Sequence, residues 1–398
     1  MGTLDWTAKG FWLPGSPVST EEFAAAKHGL FDGPFVWPVM VARQSAIDHN
    51  IATLAAFARD QGVAFAPHGK TTMAPSLFHA QLAAGAWGLT AATASQALVM
   101  RKSGVKRIIL ANELLDRTAL RWFAEQLDED PGFEFLCYVD STAGVRALAD
   151  LPGTRPLRVL VELGHERGRT GCRTLAGLVE TARAVDAEPR LELAGVAGYE
   201  GGLNGRVDVR VYLAQLTEAA RIVAPKTPGP TVITAGGSAW FDLVAEAFAG
   251  LGPDYLPILR SGAYISHDDG FYEAKTPFNR IEGELRPALE IWAQVLSVPE
   301  TGLAVAGFGK RDAPCDEGLP VPRSVRGSDG EIRPAEGLSL TRFQDHHAYL
   351  TGERGGGLLP GDLVSFGISH PCTAFDKWRF IPVVDEDHTV VDVLHTLF

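Results

Sequence analysis

The sequence predicts an α/β protein, a (β/α)8 barrel of the TIM type joined to a β-rich domain built from both chain ends. Three observations lead there. Between residues 60 and 265, eight short apolar runs alternate with longer stretches of helical period. Those runs are apolar almost throughout, as strands are when crossover helices cover both faces of a parallel sheet. Beyond about residue 285 the spacing shortens, Gly and Pro thicken, and the remaining runs are those of short β strands.

Taken in order, VWPVMVA (36–42) reads as a strand and SAIDHNIATLAAFARDQG as the helix that follows it. The barrel runs are VAFAPH (63–68), WGLTAAT (87–93), RIILAN (107–112), FEFLCYV (133–139), LRVLVEL (157–163), LAGVAGY (193–199), TVITAGG (231–237) and YLPILRS (255–261). Intervening segments such as SLFHAQLAAGA and RTLAGLVETARAV space their apolar residues three and four apart, as amphipathic helices require. Eight strands with seven visible crossovers fit a (β/α)8 barrel in count and size. A doubly wound open sheet is the rival. LEIWAQVLSV, GLAVAGFG, DLVSFGIS, RFIPVVD and HTVVDVL then read as strands of the second domain, which the 36–42 strand is expected to join. The expected division is 45–284 for the barrel, with 1–44 and 285–398 forming the β domain. Internal repeats, low-complexity tracts and a flexible linker are absent from the sequence.

Composition narrows the function. The 398 residues carry 36 Lys and Arg against 48 Asp and Glu, a net charge of −12, and 46% of them are hydrophobic. There is ample material for a core. Such an acidic surface repels phosphate backbones, which excludes a general nucleic-acid binder. With no run of ~18 apolar residues, nothing reads as a membrane-spanning helix. The first residues lack a basic segment followed by an apolar stretch, so a cytoplasmic protein is expected. Cys137, Cys172, Cys315 and Cys372 form no CxxC pair, so neither a zinc ribbon nor a redox dithiol is encoded.

Barrel enzymes carry reactive groups at the C-terminal ends of their strands. Those ends read Pro67-His68-Gly69-Lys70, Glu162-Leu163-Gly164-His165, Tyr199-Glu200-Gly201-Gly202, Ala235-Gly236-Gly237-Ser238 and Ser261-Gly262-Ala263-Tyr264. A lysine just past the first strand points into the barrel mouth, where partial desolvation suits Schiff-base chemistry. On an ordinary surface loop Lys70 would have no such role. Gly236, Gly237, Ser238, Gly262 and Ala263 follow strands seven and eight, where small residues let backbone N–H groups approach a phosphate. Tight turns needing positive φ are the alternative. A mouth lysine together with a phosphate cradle is what pyridoxal phosphate needs. In the β domain, Ser369-His370-Pro371-Cys372-Thr373 places His370 and Cys372 two apart. On an extended segment the two face one side, and imidazole plus thiolate suits zinc. Two protein ligands leave positions open, the pattern of a catalytic metal. His346-His347 reads as a metal neighbour, a proton shuttle or a structural pair.

These residues carry a resemblance. APHGKTTMAP (66–75), GRTGC, YEGG, TAGGS, RSGAYISHD and HPCT after GDLVSFGIS occur in this order. The pattern resembles the alanine-racemase-like (fold-type III) pyridoxal phosphate enzymes, and within them the D-serine dehydratase and D-threonine aldolase group. It runs from about residue 36 to 382, and PHGK and HPC are its specific parts. It implies that Lys70 holds the cofactor, with His68, Arg169 and Tyr199 beside it and Gly236, Gly237, Ser238, Gly262 and Ala263 at its phosphate. It also implies that His370 and Cys372 hold a zinc ion. In the group, a cysteine at the second metal position accompanies dehydratases, whereas aldolases typically carry an acidic residue there. The expected activity is β-elimination of water from a D-3-hydroxy amino acid such as D-serine, and the expected assembly is a homodimer. Retro-aldol cleavage to glycine and an aldehyde is the alternative, and a non-catalytic carrier of the cofactor a more distant one. Thr72 departs from the histidine many relatives have, and GKRD (309–312) with its Pro-rich insertion resembles a bacterial subgroup of amino-acid deaminases.

Overall fold

Regular structure begins with two short strands, β1 (Thr3–Leu4) and β2 (Val18–Ser19), paired antiparallel, and the helix α1 (Thr20–Ala25). Ser19 starts that helix through a capping box: its hydroxyl accepts from the Glu22 N–H at 3.1 Å and the Glu22 carboxylate accepts from the Ser19 N–H at 2.9 Å. The strand β3 (Val39–Arg43) and the helix α2 (Gln44–Asp60) follow. The computed structural model describes residues 2–149, 152–352 and 357–398. Two units divide the chain. One runs from the N-terminus to Thr53 and adds Thr71–Leu77 and Ala263–Phe398; the other comprises Leu54–Lys70 and Phe78–Gly262.

The second unit is a barrel. Its strands are β4 (Ala64–Phe65), β5 (Leu89–Ala91), β6 (Arg107–Glu113), β7 (Glu134–Val139), β8 (Leu157–Leu163), β9 (Leu191–Gly198), β10 (Thr231–Ala235) and β11 (Tyr255–Leu259). Along the chain they alternate with α3 (Pro75–Ala83), α4 (Ala94–Lys102), α5 (Arg117–Glu129), α6 (Thr142–Leu148), α7 (Leu175–Asp186), α8 (Arg206–Val223) and α9 (Phe241–Phe248). All strand pairs are parallel, in the order β4-β11-β10-β9-β8-β7-β6-β5. The two ends of that ladder meet, because Trp87 N–H donates to Phe65 O at 2.7 Å and Thr90 N–H donates to Pro67 O at 2.9 Å. Four successive loops end in a helix cap: Thr93, Asp116, Ser141 and Thr174 each accept from a backbone N–H in the first turn. Ala66, Ile109, Leu136, Tyr138, Leu160, Ala197, Val232 and Ile258 fill the interior. Gly195 has φ +145°, and a Cβ there would collide with Val232 O, so only glycine lets β9 lie against β10.

In the first unit β3 lies between β12 (Leu289–Glu300), paired antiparallel, and β19 (Phe380–Val384), paired parallel. The expectation that the 36–42 segment joins the C-terminal β strands therefore holds. The sheet continues through β13 (Leu303–Ala306), β14 (Val321–Arg326), β15 (Ile332–Pro334), β16 (Ser339–Phe343), β17 (Ala348–Thr351), β18 (Leu363–Gly367) and β20 (Val390–His395). Strands β14 to β17 were not among the sequence expectations. Several of their residues face solvent and carry Arg, Ser and Thr, so no apolar run marks them. Trp292, Val39, Val41, Phe380 and Val390 centre the core of this unit. Among the described residues no helix is long and apolar enough to cross a membrane.

Candidate active site

The barrel mouth is built on strand ends. After β4 the chain turns through a 3-10 segment, Gly69–Thr71, that carries Lys70 half-buried. Gly69 is dictated by packing: a Cβ there would sit 2.5 Å from Met100 Cε and 2.9 Å from Phe78. Gly262 meets the same segment, its missing Cβ lying 2.5 Å from His68 O. The Nδ1 of His68 is buried without a hydrogen-bond partner. Burial, and then the positive charges of Lys70, Arg260 and Arg169, hold that imidazole well below its ordinary range, so it stays neutral.

Arg169 lies with its guanidinium 4.0 Å from the centre of the Tyr199 ring. A cleft of about 380 Å³ opens between Glu162, His165, Arg167, Arg169, Tyr199 and Gly202. Behind it Arg260, 5% exposed, donates to Thr234 Oγ1 at 2.6 Å and to Gly198 O at 2.7 Å, and its guanidinium lies 5.9 Å from the Tyr138 ring. Tyr138 OH is itself buried without a partner. Glu113 and Glu162 hydrogen-bond to each other, and both carboxyls are raised, chiefly by burial; the charge of Glu162 adds to the shift on Glu113. One proton between two carboxylates is the expected state of such a pair.

The turn after β10 binds an anion of the protein's own. Gly236 N–H donates to the Glu200 carboxylate at 3.1 Å and Gly237 N–H at 2.5 Å, and Glu200 is fully buried. Gly236 has φ +112°, which the turn needs. These are two of the amides expected at a phosphate. Ser238 is half-buried beside them, and Ala263 is buried at the start of a 3-10 turn over Ala263–Ile265. Sequence alone did not single out Arg260, Glu200, Glu162 or Glu113. The available signal was their position at or next to a strand end, in YLPILR, YEGG, LRVLVEL and RIILANE.

In the other unit His370 and Cys372 follow β18. The extended geometry expected for them is not what brings them together. His370 is extended at φ −147°, but Pro371 opens a 3-10 turn, Pro371–Thr373, that swings Cys372 back toward it. Cys372 Sγ lies 3.9 Å from Thr71 Oγ1 and 4.0 Å from Tyr272 OH. Asp316 Oδ2 is 2.8 Å from His370 Nδ1, and Thr373 Oγ1 donates to Asp316 Oδ1 at 3.1 Å. Burial opposes a charge on His370, but its interactions with Cys372 and then Asp316 prevail and raise it to about 9. Thr72 is buried with its hydroxyl unpartnered. His346 and His347 are exposed in a separate turn, His346 3.7 Å from the Asp312 carboxylate, and Lys310 is exposed nearby in sequence. Among the described residues no three His, Cys, Asp or Glu side chains gather as a ready metal cage.

Comparisons with known proteins place the chain in a family and match its fold. Residues 43–249 match the model of the alanine racemase N-terminal domain, and residues 288–384 match a putative serine dehydratase domain. The chain is 25% identical over 306 residues to the 3-hydroxy-D-aspartate aldolase of Paracoccus denitrificans, covering 73% of this chain and 76% of that one. Its fold superposes on D-threonine aldolase from Filomicrobium marinum with a TM-score of 0.77 at 23% identity, over 91% of this chain and 95% of that one. For D-threo-3-hydroxyaspartate dehydratase from Delftia sp. HT23 the TM-score is 0.72 at 21% identity, over 91% and 97%. A cysteine-to-alanine mutant of D-threo-3-hydroxyaspartate dehydratase is known in a metal-free form.

Proposed function

The chain belongs to the alanine racemase N-terminal domain family of pyridoxal phosphate enzymes, and from that premise we propose that it is a zinc-assisted D-amino-acid lyase. Its reaction in this reading is removal of water from a D-3-hydroxy amino acid, D-serine foremost, leaving a 2-oxo acid and ammonia. The observation that carries it is the single turn that gathers the imidazole of His370 and the thiol of Cys372, with Asp316 on the other ring nitrogen.

The residues fit the two groups. The mouth offers an amine on Lys70, a neutral His68 with a free buried nitrogen, and the cations Arg169 and Arg260, a setting for an anionic ring-and-phosphate cofactor. Lys70 would hold pyridoxal phosphate, and His68, Arg169 and Tyr199 would flank it. Gly236 and Gly237 give their N–H groups to Glu200, so in this reading they shape the phosphate turn while Ser238, Gly262 and Ala263 bind. The cofactor supplies an electron sink that acidifies the substrate Cα–H. Lys70, with its amine free, would take that proton at Nζ. Arg169, held over Tyr199, orients an anionic group of the bound molecule. Zinc on His370 and Cys372 would supply Lewis acidity toward a β-hydroxyl, a poor leaving group unaided. A homodimer completes the proposal.

Retro-aldol cleavage is the second reading, favoured by the aldolase names of the relatives with detectable sequence identity. The test is a product assay on purified protein with D-serine, D-threonine and D-3-hydroxyaspartate, before and after EDTA and zinc restoration. Expected are 2-oxo acid and ammonia, lost to EDTA and restored by zinc. Glycine with an aldehyde would make the protein an aldolase and overturn the weight placed on Cys372.

A further inference from the structure

Resting on the reading of His370 and Cys372 as a metal pair, we propose that Asp316 is a positioning residue for that site: it fixes the imidazole of His370 through Nδ1 so that Nε2 is the ligand nitrogen. The geometry begins with the carboxylate, held at both oxygens from one short turn. Oδ2 meets His370 Nδ1 at 2.8 Å and Oδ1 accepts from Thr373 Oγ1 at 3.1 Å. Those two contacts straddle the residue that carries the thiol.

The loop that presents Asp316 is itself pinned. Ser369 Oγ donates to Glu317 O at 2.9 Å, next to Asp316 in sequence and next to His370 on the other side. Gly318 has φ +116°, and a Cβ there would stand 2.6 Å from Ser369 Oγ, so glycine is what allows the two segments to touch. The imidazole cannot tilt freely either, with the rings of Phe271 and Tyr272 at 5.4 Å and 5.9 Å. A neutral imidazole carries one proton. With that proton on Nδ1 and donated to the carboxylate, the lone pair is on Nε2, and the carboxylate raises its basicity. Asp316 thus acts through His370 and needs no contact with the metal.

The experiment measures metal affinity, with turnover as a secondary readout. Purified wild type, Asp316→Ala, Asp316→Asn and Cys372→Ala are stripped and titrated with zinc against a chromophoric chelator, then with cobalt while the thiolate-to-metal absorption is recorded. Thermal melts of the stripped proteins confirm folding. Wild type is expected to bind one zinc per chain, and Asp316→Ala to bind about 10- to 100-fold more weakly with the thiolate band retained at saturation. Asp316→Asn keeps an oxygen that accepts from Nδ1–H and is expected to recover most of the loss. Equal affinity in wild type and Asp316→Ala overturns the positioning role while leaving the metal site standing. Equal losses in Asn and Ala variants would make Asp316 a direct ligand and also overturn it. No stoichiometric zinc in wild type, with Cys372→Ala indistinguishable from it, removes the metal reading and this inference together.

Discussion

The barrel mouth and the turn after β18 treat their polar groups in opposite ways. In the mouth, His68 Nδ1, Tyr138 OH and one oxygen of Glu162 are buried with no hydrogen-bond partner. Around them the charges are mixed, with Lys70, Arg169 and Arg260 close enough to depress His68 and the Glu113–Glu162 pair holding back its proton. In the turn, His370 is held by Asp316, and the Cys372 sulfur lies within 4.0 Å of two hydroxyls. An unpartnered buried polar atom costs roughly 1–3 kcal/mol, so several in one mouth fit a site whose ligand makes many contacts. A small ion needs few contacts in fixed directions, and a braced turn supplies those directions beforehand.

The sharpest way to break that comparison is to remove one reactive group from each region. Lys70→Ala is expected to abolish turnover, by at least about 100-fold, together with the visible absorbance of bound cofactor. Cys372→Ala is expected to lower turnover by roughly 100-fold while the absorbance stays, since Lewis-acid assistance is worth several kcal/mol. Loss of absorbance in the cysteine variant, or its retention with full activity in the lysine variant, would reverse the assignment of the two regions.

A smaller effect tests the frame that holds the mouth. Gly195→Ala places a methyl against Val232 O, and the barrel is expected to lose about 1–3 kcal/mol, read as a lower midpoint in a denaturant melt. An unchanged midpoint would mean that β9 and β10 tolerate a wider spacing.

The smallest effect concerns the shared proton. Glu113 is pushed up to about 7 from an ordinary 4.5, by burial and by Glu162. An acid raised on folding contributes stability that is complete below its unfolded pKa and lost as pH rises through the folded value. Stability should therefore fall between about pH 5 and pH 8, by on the order of 1 kcal/mol once solvent screening of a partly exposed group is allowed for. Glu113→Gln is expected to flatten that fall, measured as the midpoint of urea melts across the range. A slope identical to wild type would place the proton elsewhere.

How much of this was legible beforehand differs between the two regions as well. The barrel strands announce themselves because a strand covered on both faces must be apolar at nearly every position, and LRVLVEL and FEFLCYV are. The β strands of 321–351 do not, because they carry polar residues and many face solvent. Lys70, His370 and Cys372 could be named from short motifs, since each sits with its neighbours in one stretch of chain. Glu200 could not be named as the partner of Gly236, nor Asp316 as the partner of His370. Those pairs are 36 and 54 residues apart and meet only when their segments pack.

Local chemistry written into consecutive residues was thus readable from the sequence: which runs become barrel strands, which lysine follows a strand, and which histidine and cysteine lie two apart, though not the turn that joins them. Periodicity and spacing act within a few residues, so the sequence determines them directly. The tertiary structure decided the rest: that Gly236 and Gly237 cradle Glu200, that Arg260 faces Tyr138, that burial and Glu162 raise Glu113, and that Asp316 meets His370. Burial and electrostatic coupling depend on distances across strands far apart in the chain, and those distances exist only after folding.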